Sequence, residues 1–445
     1  MKLVSFKECM VGDTIYKYQK GVSNIMKQID WTPKEKGLDH TLGVLKEGYQ
    51  YIPNRMKAYQ TNMFETRVLG QKAICLSGKE AAELFYNNEK FIRINAAPKR
   101  VLKTLFGLGG VQTLDGEEHR HRKAMFMSLM KEERLDDLKA TTKQALQQAL
   151  ARWEKEPEIE LFTESKYLLT RIASKWAGLP LPAEEEMNNH VEAIASLFEK
   201  PTSVGRTYFK TVSKREDLEK WVRGVVTQVR DGQIQPREDS ALAVMSHHRD
   251  LDGNLLDSQI VAVEILNIIR PIVAIAVYLN FTALAVIQQP NEVSKLKTGD
   301  EDTKQRFIQE VRRFYPFFPV VLARVRSNFV WEGYTFKRGT LTILDLYGTN
   351  HDSKTWTNPD VFDPDRFKNW SGSPFDFIPQ GGGDYWEHHR CPGEWVTIEV
   401  MKIVLEFLVN DVEFSVPKQD FNYSMGQMPS IPKSLIRLQY VKSKY

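Results

Sequence analysis

The chain has 445 residues, 42% hydrophobic and 11% aromatic, enough to bury a large core. Lys and Arg number 61 against 57 Asp and Glu, a net charge of +4, which argues against a nucleic-acid binder. Three scattered cysteines, Cys9, Cys75 and Cys391, do not make a disulfide framework, so a reducing, cytoplasmic setting is expected.

Residues 1–30 read as a loosely attached extension without the uninterrupted apolar core of a signal peptide. Helical spacing follows over 38–60. A hairpin then fits 64–69 and 72–76 around Gly70-Gln71. From 79 to 315 the pattern is nearly all helical, broken at Pro98, Gly107 to Gly110, Pro180 to Pro182 and Asp252-Gly253. Within it, 260–287 is long and apolar enough to span a bilayer. It carries Glu264, Asn267, Arg270 and Pro271 near its middle, where charges would be costly in lipid, so a helix buried in protein is expected and no transmembrane segment. Strand-like pieces return at 328–347, loops fill 350–390, and a β-like tail ends the chain. The expected class is α+β, mainly α: a single large domain over 31–445 with small sheets at its edges.

Cys391 has the most prepared setting of the three cysteines. Pro392 and Gly393 follow it and lead into an apolar helical run. Proline favours the first position of a helix, which places Cys391 at or near the N-cap. There the helix dipole and free amides would favour a thiolate, a ligand suited to a soft or redox metal. Zinc on His388, His389 and Cys391 is a weaker reading, because adjacent histidines diverge and no further ligand spacing supports it. A second signal is Glu310 with Arg313, which share one helical face. Alone, such a pair is ordinary solvated surface. Here Arg366 follows in a Pro- and Asp-rich segment and could join it.

In this order these elements resemble the cytochrome P-450 superfamily. Its helix E-x-x-R matches Glu310 and Arg313. Its P-x-x-F-x-P-x-R-F element matches Pro359, Phe362, Pro364, Arg366 and Phe367. Its haem-ligand loop matches His389, Cys391 and Gly393. The resemblance implies haem b with Cys391 as the axial thiolate, which donates electron density that favours O–O cleavage. It also implies that His119 and Lys123, at i and i+4 on one helical face, hold a haem propionate, with Arg93 a further such ligand. His121 and Arg122 read as surface. The loop between Phe377 and Cys391 is longer than in most members.

The long apolar segment departs from the common pattern too. Most members carry an acid–alcohol pair there for proton delivery; this chain has Arg270-Pro271 instead. A mid-helix proline removes an amide donor and costs about 3 kcal/mol, and such a violation is expected at a functional site. Arg270 is a permanent cation in apolar surroundings. Glu264 lies six residues away, a poor local partner. The better reading is that its partner arrives with the substrate, as a carboxylate held in bidentate fashion.

This Arg-Pro pair, with the glycine-rich cysteine loop, resembles the fatty-acid peroxygenase branch. The resemblance implies hydroxylation of long-chain fatty acids at the α or β carbon, driven by hydrogen peroxide without an obligatory reductase. Arg270, Pro271 and Gln112 would be catalytic; Arg270, Gln112, Phe106 and Phe198 would bind substrate. Gln112 stands where some relatives carry His. Members with His tend to decarboxylate fatty acids to terminal alkenes, so Gln112 favours hydroxylation. The alternatives are that decarboxylase activity, a reductase-dependent monooxygenase, and a non-catalytic haem or fatty-acid binder.

Overall fold

The computed structural model describes residues 32–201 and 203–445. The expected extension, 1–30, lies outside the described residues. Seven helices position the site: α1 Gly116–Met127, α2 Leu161–Ala177, α3 Glu184–Glu199, α4 Gly205–Arg230, α5 Ser258–Gln288, α6 Glu301–Phe314 and α7 Glu394–Glu406. α5 starts where the Asp257 side chain accepts the amides of Gln259 and Ile260, an N-cap that satisfies two otherwise free donors. It then runs for 31 residues with Pro271 inside it. Its apolar residues lie on every face because α2, α3, α4, α6 and α7 pack around it. It is also the one described helix long and apolar enough to cross a membrane, and 89% of its most apolar window is buried inside the fold.

The strands form small sheets at the edges, as expected. β1 Met63–Val68 and β2 Gln71–Leu76 are the hairpin, paired from Met63 with Leu76 to Val68 with Gln71. β2 then pairs in parallel with the distant β8 Leu341–Asp345, which pairs with β5 Val320–Val325 and so with β3 Phe91–Ile92. The tail strands β9 Val412–Ser415 and β10 Arg437–Ser443 join β4 Glu158–Glu160, while β6 Phe329–Trp331 and β7 Tyr334–Phe336 form a separate hairpin.

The Glu310 carboxylate ties α6 to the loops that lead toward Cys391. It accepts from Arg313 Nε and Nη2, both at 2.8 Å, from Arg366 Nε at 3.2 Å and from the Asp363 amide at 2.9 Å. Arg313 Nη1 reaches on to the Asn350 carbonyl at 3.0 Å. Glu310 and Arg313 are fully buried, so this is no surface pair. One residue along, Arg312 bonds Glu394 at 2.5 Å and Gln380 at 3.0 Å, which anchors the start of α7 and the glycine-rich loop to α6.

Candidate active site

Cys391 lies near the helix cap, as expected, two residues before Gly393, the N-cap of α7. Burial, with Glu394 nearby, pushes its thiol pKa up; the Gly393 amide, Lys123 and Arg312 pull the other way and are outweighed. In the metal-free chain the helix end alone therefore does not favour the thiolate. A cation bound at sulfur would, because metal ligation deprotonates a coordinating thiol.

Above the cysteine loop, Arg93, His119, Lys123 and His389 converge. The rings of His119 and His389 stack with centroids 3.8 Å apart. Lys123 Nζ donates to the carbonyls of His388 and Arg390, the latter at 2.9 Å. The Arg93 guanidinium lies over the Phe85 ring at 4.4 Å. Burial and mutual repulsion pull His119 down to about 3, and burial pulls Lys123 to about 8 and Arg93 to about 10. Among the described residues none of these three side chains makes an ion pair; the Asp115 carboxylate is taken by the amides of Arg93 and Ile94. A buried set of basic groups without an anion suits a ligand that brings carboxylates, as haem does through its propionates. No three His, Cys, Asp or Glu side chains among the described residues converge as a metal-ligand set, which leaves zinc on His388, His389 and Cys391 without support.

α5 carries Arg270, close enough to Cys391 to feel its charge. It is 7% exposed, and burial pulls its pKa down to about 9, with Arg215 adding repulsion. Its Nη2 reaches Asn267 Oδ1 at 3.4 Å, its Nε has no partner, and no described carboxylate pairs with it. The Phe106 ring centroid is 5.8 Å from the guanidinium carbon. Gln112 Oε1 lies 3.3 Å from Asn267 Nδ2. The structure thus brings Phe106, Gln112 and Arg270 together. Pro271 leaves α5 unbroken, but without an amide hydrogen it leaves the Asn267 carbonyl no helical donor. Phe198 is buried in the main apolar core on α3 and makes no polar or ring contact with this group.

The glycine-rich stretch before Gln112 is threaded between helices. Gly107 has φ +82°, and a Cβ there would lie 2.3 Å from Arg215 Nη2 and 2.5 Å from a Val263 methyl. A Cβ on Gly110 would meet Asn267 and Gln112 at 2.9 Å each. Only glycine lets this loop approach α5 so closely.

Arg122 overturns the surface reading. It is buried on α1 and donates to Glu264 at 3.0 Å. Sequence spacing pointed to His119 and Lys123 but gave no sign that a second face of α1 is also covered. Glu264 is spent on Arg122, the Val111 amide and Asn267, and reaches Arg270 only through Asn267.

A cysteine before a helix, an E-x-x-R lock and a buried basic cluster without an anion among the described residues fit a haem-thiolate protein, and the cytochrome P450 family model matches residues 304–439. Cytochrome P450EX alpha, solved with myristic acid, is 51% identical to this chain, with TM-score 0.90 and coverage of 93% of this chain and 99% of that one. The chain belongs to the cytochrome P450 family, in its fatty-acid peroxygenase branch. It is also similar to cytochrome P450SP alpha in complex with (R)-ibuprophen: 40% identity, TM-score 0.89, 91% of this chain and 99% of that one. A third likeness is cytochrome P450 OleT in complex with arachidonic acid: 35% identity, TM-score 0.90, 93% of this chain and 99% of that one.

Proposed function

We propose that this protein hydroxylates long-chain fatty acids at the α or β carbon, using hydrogen peroxide and no obligatory reductase. The observation that carries the reading is Arg270: a buried guanidinium with an unpartnered Nε and no carboxylate partner among the described residues. A fatty-acid carboxylate supplies the missing anion. The fatty-acid complexes of related chains support that ligand class.

Haem b would be held by Cys391 at the iron and by His119, Lys123 and Arg93 at the propionates. When bound, it supplies the redox chemistry that cleaves peroxide and inserts oxygen. The protein's part is to place the substrate. Arg270 fixes the carboxylate, Phe106 forms an apolar wall beside it, and Gln112 can offer a hydrogen bond but no proton. Peroxide cleavage needs a proton moved from one oxygen to the other. This helix has no acid–alcohol pair to move it. The substrate carboxylate, held at Arg270, can take the proton on one oxygen and give it back. The same anchoring confines oxidation to carbons near the carboxyl end. Phe198 would lie along the acyl chain, and the protein would work in the cytoplasm.

Gln112 favours hydroxylation over decarboxylation, because the chain lacks a titratable donor at that place. The test is to mix haem-loaded protein with a long-chain fatty acid and peroxide, without reductase, and identify products by mass spectrometry. Hydroxy acids are expected. Terminal alkene as the main product would overturn the Gln112 argument, and product only with NADPH and a reductase would overturn the peroxide reading.

A further inference from the structure

Glu264 is fully buried on α5, and its two carboxylate oxygens face different partners. Oε1 accepts from Arg122 at 3.0 Å and from the Val111 amide at 2.8 Å. Oε2 accepts from Asn267 Nδ2 at 3.0 Å. Asn267 then turns its Oδ1 to Arg270 Nη2 at 3.4 Å, while Nδ2 also faces Gln112 Oε1 at 3.3 Å.

The direction of this chain of bonds is set at both ends, by a guanidinium that only donates and a carboxylate that only accepts. An asparagine amide can present either its oxygen or its nitrogen, and nothing in Asn267 itself chooses. An ionised carboxylate can only accept. Glu264 therefore takes the NH2 end of Asn267 and leaves the oxygen for Arg270. If the group at 264 could donate, the Asn267 amide could reverse. Its NH2 would then face a guanidinium, which has no acceptor to offer. Burial pushes the Glu264 pKa up, and Asn267, the Arg122 guanidinium and the Val111 amide act against it, favouring the ionised form. Arg122 also sits on α1 beside His119 and Lys123, so the same helix that faces the propionate nest also holds this reference point.

We propose that Glu264, held by Arg122, is a positioning residue for the substrate-carboxylate anchor. Together with the donor-only Arg270 guanidinium, it fixes the sense of the Asn267 amide and so the acceptor that steadies Arg270. Its bond to the Val111 amide ties the loop that carries Gln112 to the same reference. This inference rests on the reading of Arg270 as the carboxylate anchor.

The test uses the full haem-loaded chain and Glu264→Gln, which keeps the volume but adds a donor. Two quantities are read: the dissociation constant of a long-chain fatty acid, from the change in haem absorbance on titration, and the ratio of α- to β-hydroxylated product. Glu264→Gln is expected to weaken binding about tenfold, the effect of one lost hydrogen bond to a charged group, and to broaden the positional ratio. The double variant Arg122→Gln, Glu264→Gln removes the guanidinium left unpaired. It is expected to recover the urea midpoint but neither the affinity nor the ratio. Parent-like affinity and ratio in Glu264→Gln, or recovery of both in the double variant, would overturn the positioning role. Arg270→Ala in the same titration separates the two ideas. If it binds fatty acid as tightly as the parent, the anchor reading fails and takes this inference with it. If it loses binding while Glu264→Gln does not, only the positioning role fails.

Discussion

Replacing Arg270 should cost turnover while sparing the fold. In the structure the guanidinium is buried, its Nε is unpartnered, its one side-chain bond among the described residues is the 3.4 Å contact to Asn267, and burial depresses its pKa to about 9. The free protein therefore gains little from this charge. Arg270→Met keeps much of the volume and removes an uncompensated cation, so its urea midpoint should equal or exceed the parent's. Substrate binding is another matter. Truncating one partner of a desolvated, hydrogen-bonded charge pair costs about 2–5 kcal/mol, roughly 30- to 4,000-fold in kcat/KM. Arg270→Lys keeps the charge but not the two-pronged geometry, and should fall between parent and Met. The assay is peroxide-driven hydroxylation of a long-chain fatty acid, with the haem spectrum as a check on loading. Parent-like kcat/KM in Arg270→Met, with haem in place, would refute the reasoning. So would a large loss of stability, because it would mean that Arg270 serves the fold.

Three further outcomes are expected. His119 has a folded pKa of about 3 against an ordinary 6.5, so between those values the unfolded chain binds the proton more readily and stability falls as pH falls. In haem-free protein the urea midpoint should drop from pH 7 toward 4, and His119→Asn should flatten that slope; an unchanged slope would contradict the burial argument. Glu310→Gln leaves the fully buried Arg313 without its counter-ion and should cost about 3–5 kcal/mol, read as a lower urea midpoint and faster haem loss on warming; a parent-like midpoint would count against the lock. Gly107→Ala forces a Cβ at φ +82° to within 2.3 Å of Arg215 and should destabilise by about 1–3 kcal/mol, with weaker fatty-acid binding; unchanged binding would mean that the loop is not set by this passage.

Much of the fold was legible because its signals are local. The hairpin, with its turn at Leu69-Gly70 one residue before the expected Gly70-Gln71, and the breaks at Pro98 and Pro180 follow from turn chemistry and helical spacing. The parallel pairing of β2 with β8 was not legible, since its partners are far apart in sequence and share only apolar character. The same divide runs through the site. Cys391, Arg270 and the Glu310–Arg313 pair stand out as residue types in unusual settings. Arg122 does not: its partner Glu264 is 142 residues away, and a lone Arg on a charged helix looks like surface until a second helix covers it. Pro392 points to Cys391 at or near a helix cap; it lies near it, since α7 begins two residues later than proline at the first helical position implies. Burial rather than the helix end then decides the thiol's behaviour.

The central claim is that Arg270 makes the substrate's carboxylate part of the reaction. The most direct measurement is a matched comparison of a long-chain fatty acid and its methyl ester, each incubated with haem-loaded protein and peroxide, with and without NADPH and a reductase. The account predicts hydroxylation of the acid near its carboxyl end, almost none of the ester, and no gain from the reductase. Equal turnover of the ester, or product only when the reductase is present, would contradict it.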